Sequence, residues 1–412
     1  MPVIVQKYGG TSVGDAARIH AVADRVVRAR EQGYDVVVVV SAMGDTTDDL
    51  MNMAHDLSPI PNPRELDMLL TAGERIAMSL LAIAINERGH RAASYTGSQA
   101  GIITDSRHGN AKIIDVRPGR ILEAVEQGNI VIVAGFQGVS ATADVTTLGR
   151  GGSDTTAVAL ADALGAEFCE IYTDVPGVFT ADPRVEPSAR MLHAVSFEEM
   201  LELAASGAKV LQSRSVEYAR RSGVLLHVRS SFSDEDGTWV TEEDERMEQA
   251  LISGVASDAT EAKVTLQDVP DRPGVAATIF RAVADEGVNI DMIVQNVSHQ
   301  GRTDVSFTAP KADLARLRTV MDRVSEEIGA NGFQMDDGVA KVSLVGAGMR
   351  SHPGVAADMF AALAEEGINI EMISTSAIRV SCVVRAADAD RAVRAIHAKF
   401  NLAEEVTARE VH

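Results

Sequence analysis

The chain is poor in aromatic residues, in cysteine and in basic residues. Aromatic residues make up 4% of its 412 residues, which favours the small-residue packing of an α/β fold over an aromatic-rich β-sandwich. Cys169 and Cys382 lie far apart in apolar runs, so we expect no disulfide framework and a reducing compartment. The 59 acidic residues outnumber the 38 Lys and Arg residues and give a net charge of −21. Because binders of nucleic acids or anionic membranes need a basic surface, we expect neither partner.

Long apolar segments are also missing. The longest runs, such as 36–40 and 77–85, are well short of the ~20 residues that span a bilayer. The N-terminus lacks the features of a signal peptide. Hydrophobic residues make up 46% of the chain and charged residues 24%, as in ordinary globular proteins. We therefore expect a cytoplasmic protein of two or three domains, at ~150 residues per domain.

The segment 1–240 alternates short Val- and Ile-rich runs with amphipathic stretches of helical spacing. Continuous apolar runs are typical of parallel strands that helices cover on both faces. The pattern therefore predicts a mostly parallel αβα sandwich. The predicted strands are 3–6, 36–40, 130–134, 170–173 and 225–228, and the predicted helices are 15–32, 65–88, 117–127, 155–164 and 197–206.

The rest of the chain contains an internal repeat with an offset of 80 residues. Residues 271–298 and 351–378 share 14 identities in 28 positions. Each copy has a Pro-Gly pair where a helix begins and a glycine, Gly287 or Gly367, where that helix ends; these positions favour those residues. A strand precedes each copy, and a strand and a second helix (312–328 and 388–400) follow it. Each repeat therefore predicts a ferredoxin-like βαββαβ domain.

A glycine pair follows the first strand in the sequence Lys7-Tyr8-Gly9-Gly10. Glycine amides can approach a phosphate closely, and a lysine at the end of a strand adds a positive charge. The spacing is not that of a Walker A loop. By itself, the motif is equally compatible with a tight turn that carries a surface lysine.

A second glycine-rich turn, residues 148–156, leads into an Ala-rich helix. Such a turn exposes helix N-terminal amides to an anion, and Arg150 suits a carboxylate or a phosphate. In the alternative interpretation, Ser153 or Asp154 merely caps the helix. A dinucleotide site is disfavoured, because Asp154 stands at the last glycine of the GxGxxG pattern and its charge would repel a pyrophosphate.

Two further segments combine polar residues with turns. Glu74 starts an apolar helix and, taken by itself, fits a surface residue that the helix dipole favours better than a functional one. Residues 172–184 follow a strand at the carboxyl edge of the predicted sheet, where α/β folds bind ligands, although their Pro and Gly residues also fit an ordinary turn. The scattered histidines form no metal motif, and Ser153 has no obvious histidine partner for a hydrolase.

In this order, and with this C-terminal repeat, the segments closely resemble the aspartate kinases of the amino-acid-kinase superfamily over essentially the whole chain. The resemblance rests on 7–10, 41–48, 71–75, 149–156 and 172–184 and on the two repeats, which resemble ACT domains. It implies a catalytic domain over 1–245, ACT domains over 263–338 and 341–412, and a segment 246–262 that links or packs with the ACT pair. It also implies transfer of the ATP γ-phosphoryl group to the β-carboxylate of L-aspartate. The product, 4-phospho-L-aspartate, leads to lysine, threonine and methionine.

The resemblance assigns roles to residues of the catalytic domain. Lys7 and Asp154 would be catalytic, Arg150 would bind the substrate α-carboxylate and Glu74 its α-ammonium. The implied substrate-binding residues are Ser41, Thr47, Glu74, Arg150, Gly151, Gly152 and Ser153. The implied ATP-binding residues are Lys7, Tyr8, Gly9, Gly10, Thr173, Asp174, Phe179, Asp182, Pro183, Arg184 and Lys209. Mg²⁺ would accompany ATP and be held largely by phosphates and water.

The ACT repeats imply amino-acid effectors, lysine and threonine, and an oligomer. The implied effector-binding residues are Asn289, Ile290, Asp291, Gln295, Val355, Ala356, Asn369, Ile370, Ser376 and Ala377. Ala356 stands where the family usually has Thr, and Ala377 where it usually has Glu, so we expect weakened feedback inhibition. Met247 lies where related enzymes start a separate regulatory subunit, which would give an α2β2 assembly instead of a homo-oligomer.

Two other functions stay open on the sequence alone. A related amino-acid kinase would act on another carboxylate, such as glutamate or N-acetylglutamate, but those relatives generally lack a paired ACT tail. A non-catalytic amino-acid sensor would keep the fold without turnover. The intact set of Lys7, Glu74, Arg150 and Asp154 argues against a sensor.

Overall fold

The computed structural model describes residues 1–243, 252–296, 300–350 and 352–403. The chain divides into two compact units. The first contains the described parts of 1–178, 191–204 and 209–247, and the second those of 179–190, 205–208 and 248–412. Two short segments within 1–245, the expected catalytic domain, therefore group with the ACT repeats.

The first unit alternates strands with helices, as the sequence pattern predicts. Its strands are β1 (Val3–Tyr8), β2 (Asp35–Val40), β3 (Ala92–Tyr95), β4 (Ile102–Thr104), β5 (Ile113–Val116), β6 (Ile130–Ala134), β7 (Gln137–Ser140), β8 (Val145–Thr147), β9 (Cys169–Thr173), β10 (Ala194–Ser196), β11 (Leu226–Ser230) and β12 (Thr238–Thr241). Its helices are α1 (Ala16–Glu31), α2 (Thr46–Leu57), α3 (Pro63–Leu70), α4 (Ala72–Glu87), α5 (Gly119–Glu126), α6 (Gly152–Leu164), α7 (Phe197–Ala205, whose last residue groups with the second unit) and α8 (Ser213–Ser222).

An eight-stranded sheet forms the centre of the first unit, in the order β10-β12-β11-β9-β1-β2-β6-β3. Its pairings are parallel except for the antiparallel pair β11–β12. Residues 36–40 of β2 are all fully buried, because this strand lies between β1 and β6 and is covered on both faces. A smaller sheet has the order β5-β4-β7-β8. The mostly parallel sheet predicted from the apolar runs is confirmed.

One helical stretch is apolar over a greater length than the runs 36–40 and 77–85 indicate. Residues 63–87 are long and apolar enough, by length and composition, to cross a membrane, but 56% of the apolar window is buried within the protein. The helix predicted over 65–88 is divided at Thr71 into α3 and α4. Ala77, Leu81 and Ile85 of α4 pack in the core cluster that also contains residues of β2 and β6. The apolar character of α4 therefore serves the core of the sandwich.

The second unit contains the two repeats. Its strands are β13 (Gly254–Asp258), β14 (Glu261–Pro270), β15 (Ile293–Gln295), β16 (Arg302–Pro310), β17 (Phe333–Asp336), β18 (Val339–Val345), β19 (Met372–Thr375) and β20 (Arg379–Arg385). Its helices are α9 (Val275–Asp285), α10 (Leu314–Ile328), α11 (Val355–Glu365) and α12 (Ala389–Lys399). The glycines predicted to end the first helix of each repeat, Gly287 and Gly367, have positive φ angles of 71° and 67°, as a residue after a helix C-terminus requires.

The two repeats differ in where their fourth strand comes from. The first repeat forms a sheet in the order β15-β16-β14-β17 from consecutive elements. The second repeat forms a sheet in the order β13-β18-β20-β19. Its edge strand beside β18 is β13, which precedes the first repeat in the chain. The first repeat is therefore inserted between β13 and β18 of the second. The sequence repeat does not predict that β13 completes the second sheet, because β13 lies outside the duplicated segment.

Candidate active site

Lys7 lies at the carboxyl end of β1, between β2 and β9 in the parallel sheet. Successive side chains of a strand point to opposite faces of the sheet, so the side chains of Lys7 and Tyr8 lie on opposite faces. The Tyr8 ring is fully buried and stacked on Tyr172, with 4.6 Å between the ring centroids. Lys7 Nζ lies 2.6 Å from Asp154 Oδ1, and the two side chains are only 11% and 10% exposed. Lys7 is therefore a buried, paired lysine and not a surface residue.

The glycine-rich turn before α6 permits close approach of the backbone. Gly151 has a φ angle of 70°, which favours glycine. A Cβ atom on Gly151 would lie 2.2 Å from Cγ of Gln212, so a side chain is excluded. Neither Ser153 nor Asp154 caps the helix, because both lie inside its first turn and are buried. The capping interpretation is wrong, and the first-turn amides have no intrahelical acceptor.

The buried Asp67 and the half-buried Arg214 hold this turn in place. Asp67 of α3 accepts hydrogen bonds from Thr147 Oγ1 at 2.5 Å and from the amide of Gly109 at 3.0 Å. Arg214 of α8 donates to the carbonyl oxygens of Leu148 at 2.7 Å and of Ala111 at 2.6 Å. The loop 109–111 and the turn 147–149 are thus joined from both sides. This bracing fixes the backbone that carries Arg150.

Glu74, near the start of α4, is buried rather than exposed. The residue is 2% exposed, so the interpretation as a surface glutamate is wrong. Its Oε1 accepts a hydrogen bond from the amide of Ala42 at 3.1 Å, whereas its buried Oε2 has no hydrogen-bond partner within the described residues. Burial raises the pKa of the carboxyl from 4.5 to about 7. A buried carboxylate oxygen without a donor suits a cationic ligand group.

These groups share one cavity of about 320 Å³. It contains both of the predicted catalytic residues and every predicted substrate-binding residue. The lining residues are Lys7, Gly9, Gly10, Ser41, Ala42, Gly44, Thr47, Glu74, Phe136, Gly149, Arg150, Gly151, Gly152, Ser153, Asp154 and Gln212. The cavity thus combines a lysine–carboxylate pair, an arginine, helix N-terminal amides and the orphan oxygen of Glu74. This set can bind a small zwitterion beside an anionic group.

Two lining side chains were missed by the sequence analysis. Phe136 follows β6 with a φ angle of 66°, an unusual conformation for an aromatic residue. Gln212 directly precedes α8, far along the chain from the other lining residues. Gln212 lies in no glycine-rich or charged motif. Phe136 is flanked by Gly135 and Gly138, and a Cβ at Gly135 would lie 2.7 Å from Ser153 Oγ, so this glycine marks close packing there.

Comparison with known proteins identifies the family. The amino acid kinase family matches residues 2–230, and the ACT domain matches residues 264–329 and 342–400. An aspartokinase of Mycolicibacterium smegmatis is 60% identical over 407 residues, which are 98% of this chain and 97% of that protein. This chain belongs to the aspartokinase family.

Solved aspartokinase structures agree with this assignment. Aspartokinase III of E. coli in complex with aspartate and ADP (R-state) is 26% identical and has a TM-score of 0.82 over 96% of this chain and 99% of that chain. The same enzyme in complex with lysine and aspartate (T-state) has a TM-score of 0.75 over 98% and 100% of the two chains. The family, the fold class and the aspartate kinase activity predicted from the sequence are confirmed.

The residues that the aspartokinase resemblance gives to ATP fall in both units. Thr173, Asp174 and Lys209 belong to the first unit, and residues 179–184 to the second. Thr173 Oγ1 donates to Asp174 Oδ1 at 3.0 Å. The Asp182 side chain binds Arg184, with 2.7 Å between Oδ2 and Nη2. The structure therefore leaves this nucleotide set as a prediction.

The residues that the aspartokinase resemblance assigns to effectors lie in both ACT repeats. Gln295 lines a cavity of about 350 Å³ with residues 269–276 and 305 of the first repeat, but the other implied residues do not line it. Asp291 is ion-paired with Lys341 of the second repeat. Val355 is buried in the core of the second repeat. The amide of Ser376 donates to the carbonyl oxygen of Arg379 at 2.8 Å. The implied effector set remains a prediction as well.

Proposed function

We propose that the cavity around Glu74 and the Lys7–Asp154 pair binds L-aspartate for phosphorylation by ATP on its β-carboxylate. One observation carries this proposal: the buried Oε2 atom of Glu74 has no hydrogen-bond partner within the described residues, although it lies in the cavity that Arg150 also lines. An α-amino acid supplies the two complementary groups. Its ammonium pairs with Glu74, and its α-carboxylate pairs with the Arg150 guanidinium.

The chemistry of the transfer follows from the same residues. The β-carboxylate of aspartate is already ionised at neutral pH, so it attacks the γ-phosphorus without a general base. The bond from phosphorus to the β,γ-bridging oxygen breaks, and ADP leaves with the electron pair. Lys7 neutralises charge on the phosphoryl oxygens, and Asp154 holds the Lys7 ammonium in position. The amides of Gly10 and of Ser153 and Asp154 in the first turn of α6 donate to oxygens of the anion, whereas the Gly9 amide donates to the carbonyl oxygen of Tyr172 at 3.3 Å.

ATP enters the reaction as its magnesium complex. No group of three or more His, Cys, Asp or Glu residues is arranged for a metal ion in the described part of the chain. We expect phosphates and water to supply most of the Mg²⁺ ligands. We assign the nucleotide to Lys7, Tyr8, Gly9, Gly10, Thr173, Asp174, Phe179, Asp182, Pro183, Arg184 and Lys209. The Tyr8 ring is buried and its carbonyl oxygen accepts from the amide of Ser41 at 3.1 Å, so Tyr8 belongs to this set as the chain neighbour of Lys7 and Gly9.

The ACT repeats make this aspartokinase a candidate for feedback by lysine and threonine. The complex of E. coli aspartokinase III with lysine and aspartate supports a lysine effector. Ala356 and Ala377 lack the hydroxyl and carboxylate that the family usually has there, so we propose weakened feedback in a cytoplasmic oligomer. An α2β2 assembly would need a translation start at Met247, which lies outside the described residues.

Aspartyl phosphate formation by the purified full-length chain tests the proposal. The acyl phosphate reacts with hydroxylamine to a hydroxamate that can be measured by its colour with iron. We expect ATP-dependent hydroxamate from aspartate and far less from glutamate or N-acetylglutamate. A preference for either of these carboxylates would indicate a related kinase, and a folded chain without turnover would indicate a sensor.

A further inference from the structure

The segment 179–190 leaves the kinase fold between β9 and β10 and packs with the second ACT repeat. Residues 178 and 191 belong to the first unit, whereas 179–190 belong to the second. Ala181 is 3% exposed in the hydrophobic core of that repeat, and Val185 and Ala189 pack against the same core. The segment that we assign to the nucleotide is thus anchored on a regulatory repeat.

Thr180, which is fully buried, makes the polar contacts that anchor the segment 179–190 to the repeat. Its carbonyl oxygen accepts from the amide of Val255 in β13 at 2.8 Å, and its amide donates to the carbonyl oxygen of Arg190 at 2.9 Å. Its Oγ1 accepts from the amide of Arg190 at 3.2 Å. The two ends of the segment are therefore tied together at Thr180. A hydrogen bond to β13 ties the same residue to the repeat.

His397 of α12 completes the anchor. Its Nε2 lies 2.9 Å from Thr180 Oγ1, and the histidine is 1% exposed. Burial lowers its pKa, Arg190 lowers it further and Glu186 raises it. A neutral imidazole satisfies the hydroxyl without placing a charge in the core of the repeat. On the same helix, Arg394 Nη1 donates to the carbonyl oxygen of Val185 at 3.4 Å.

We propose that His397 is a positioning residue for nucleotide binding, which acts by fixing Thr180 and with it the segment 179–190. The inference rests on the proposed function, specifically on the nucleotide role of Phe179, Asp182 and Arg184. These residues lie within four positions of Thr180 in the chain, so the orientation of their backbone depends on how Thr180 is held. A protein whose binding-competent state is only fractionally populated has an apparent Kd raised by that fraction. Loss of the anchor therefore weakens ATP binding and leaves aspartate binding unchanged.

The test compares Michaelis constants for the two substrates in the full-length enzyme. Thr180→Val removes the hydroxyl, and His397→Ala removes the imidazole. We expect either change to raise the KM for ATP about tenfold, with the KM for aspartate within about twofold of the parent value. The affinity for ADP, measured by titration calorimetry, should fall by the same factor. His397→Gln places an amide nitrogen near the position of Nε2 and should restore most of the ATP affinity.

A matched control lies on the same helix. The exposed Arg391 side chain pairs with Asp388 at 2.8 Å, away from the segment, so Arg391→Ala should leave both Michaelis constants unchanged. Thermal unfolding identifies variants that fail to fold. If Thr180→Val is one of them, His397→Ala carries the test, and Thr180→Ser, which keeps the hydroxyl, should retain the parent KM for ATP. If folded Thr180→Val or His397→Ala has an unchanged KM for ATP, or if the constants for both substrates rise together, the inference is overturned.

A further variant separates this inference from the proposed function. Arg184→Ala alters the nucleotide set and leaves the Thr180–His397 contact in place. If Arg184→Ala leaves the KM for ATP unchanged, the segment does not bind the nucleotide and its assigned role is wrong. If Arg184→Ala raises that constant and the Thr180 and His397 variants do not, only the positioning role is wrong.

Discussion

Lys341 of the second ACT repeat forms an ion pair with Asp291 of the first, and its side chain is only 1% exposed. Its ammonium also donates to the carbonyl oxygen of Ala205 at 3.1 Å. The repeat places Lys263 at the position of Lys341 and Glu371 at the position of Asp291, and this second pair is also formed. Each repeat thus contributes a lysine to the acid of the other. An effector ammonium at Asp291 would have to compete with Lys341.

The two partners of this pair should differ in their contribution to stability. Asp291→Asn leaves the buried Lys341 ammonium without its counter-charge, and such losses cost about 3–5 kcal/mol. Lys341→Met leaves Asp291, whose side chain is 27% exposed, partly hydrated and should cost less. Calorimetric unfolding of the full chain measures the loss of stability in both variants. Asp322→Asn on the exposed face of α10 is the control, expected within about 0.5 kcal/mol of the parent. A larger cost for Lys341→Met would contradict this account.

Lys7 and Asp154 should both be needed for turnover. Lys7→Ala removes the cation beside the phosphoryl group, and Asp154→Asn removes the charge that positions it. We expect each to reduce kcat by about 10²–10³-fold, as for the loss of other groups that stabilise a charged transition state. Hydroxamate formation measures the rate, and circular dichroism checks the fold. Lys112→Ala, at an exposed lysine of the same unit, should keep the parent activity. Near-normal turnover of either site variant would show that the site is misplaced.

Glu74 should give aspartate binding a pH dependence. Its pKa is raised to about 7 by burial, and only the ionised form pairs with the substrate ammonium. The KM for aspartate should therefore rise as the pH falls below about 7, by up to tenfold per unit, and level off above it. Glu74→Gln should raise this KM at pH 8 and abolish the dependence. Glu87→Gln, at the exposed end of α4, should retain the parent profile. A flat profile in the parent would contradict the assignment.

In the absence of substrate, Glu74 should make the folded chain less stable at a pH above its raised pKa of about 7 than at acidic pH. Between its unfolded pKa near 4.5 and its folded pKa of about 7, the folded chain holds a proton that the unfolded chain has released. Stability therefore falls as the pH rises through this window, by at most about 3 kcal/mol. Glu74→Gln should unfold at a higher temperature than the parent at pH 8 and should not do so near pH 5. An equal difference at both values would exclude ionisation of Glu74 as the cause.

Feedback inhibition should be weak in this aspartokinase. Ala377 is exposed and Ala356 partly buried, and neither side chain can bind an effector by a hydrogen bond. The double variant Ala356→Thr, Ala377→Glu should lower the inhibitory concentration of lysine plus threonine by at least about 50-fold. The kinase assay with and without both amino acids measures this change. Strong inhibition of the parent at sub-millimolar concentrations would exclude weakened feedback.

Local sequence patterns determined most of the strands and helices that carry the site residues. The apolar run 130–134 coincides with β6, and the Val run 36–40 lies within β2, because a strand buried on both faces needs apolar residues at every position. Glycine at 287 and 367 predicted the helix ends correctly, since only a positive φ continues the chain there. The start of α6 was missed: it begins at Gly152 instead of Thr155, where packing outweighs the low helix propensity of glycine.

Tertiary structure alone decided the chemistry around these elements. The sequence placed Glu74 near a helix start, but only burial raised its pKa and left one oxygen without a donor. Likewise, the Thr180–His397 contact joins residues 217 positions apart. Strand β13 pairs with β18, and the whole first repeat lies between these two strands in the chain. Hydrophobic periodicity reports which face of an element is covered, but not which distant element covers it. Desolvation and hydrogen bonding between distant groups therefore set the properties of the site, whereas the sequence by itself determined its residues and its family.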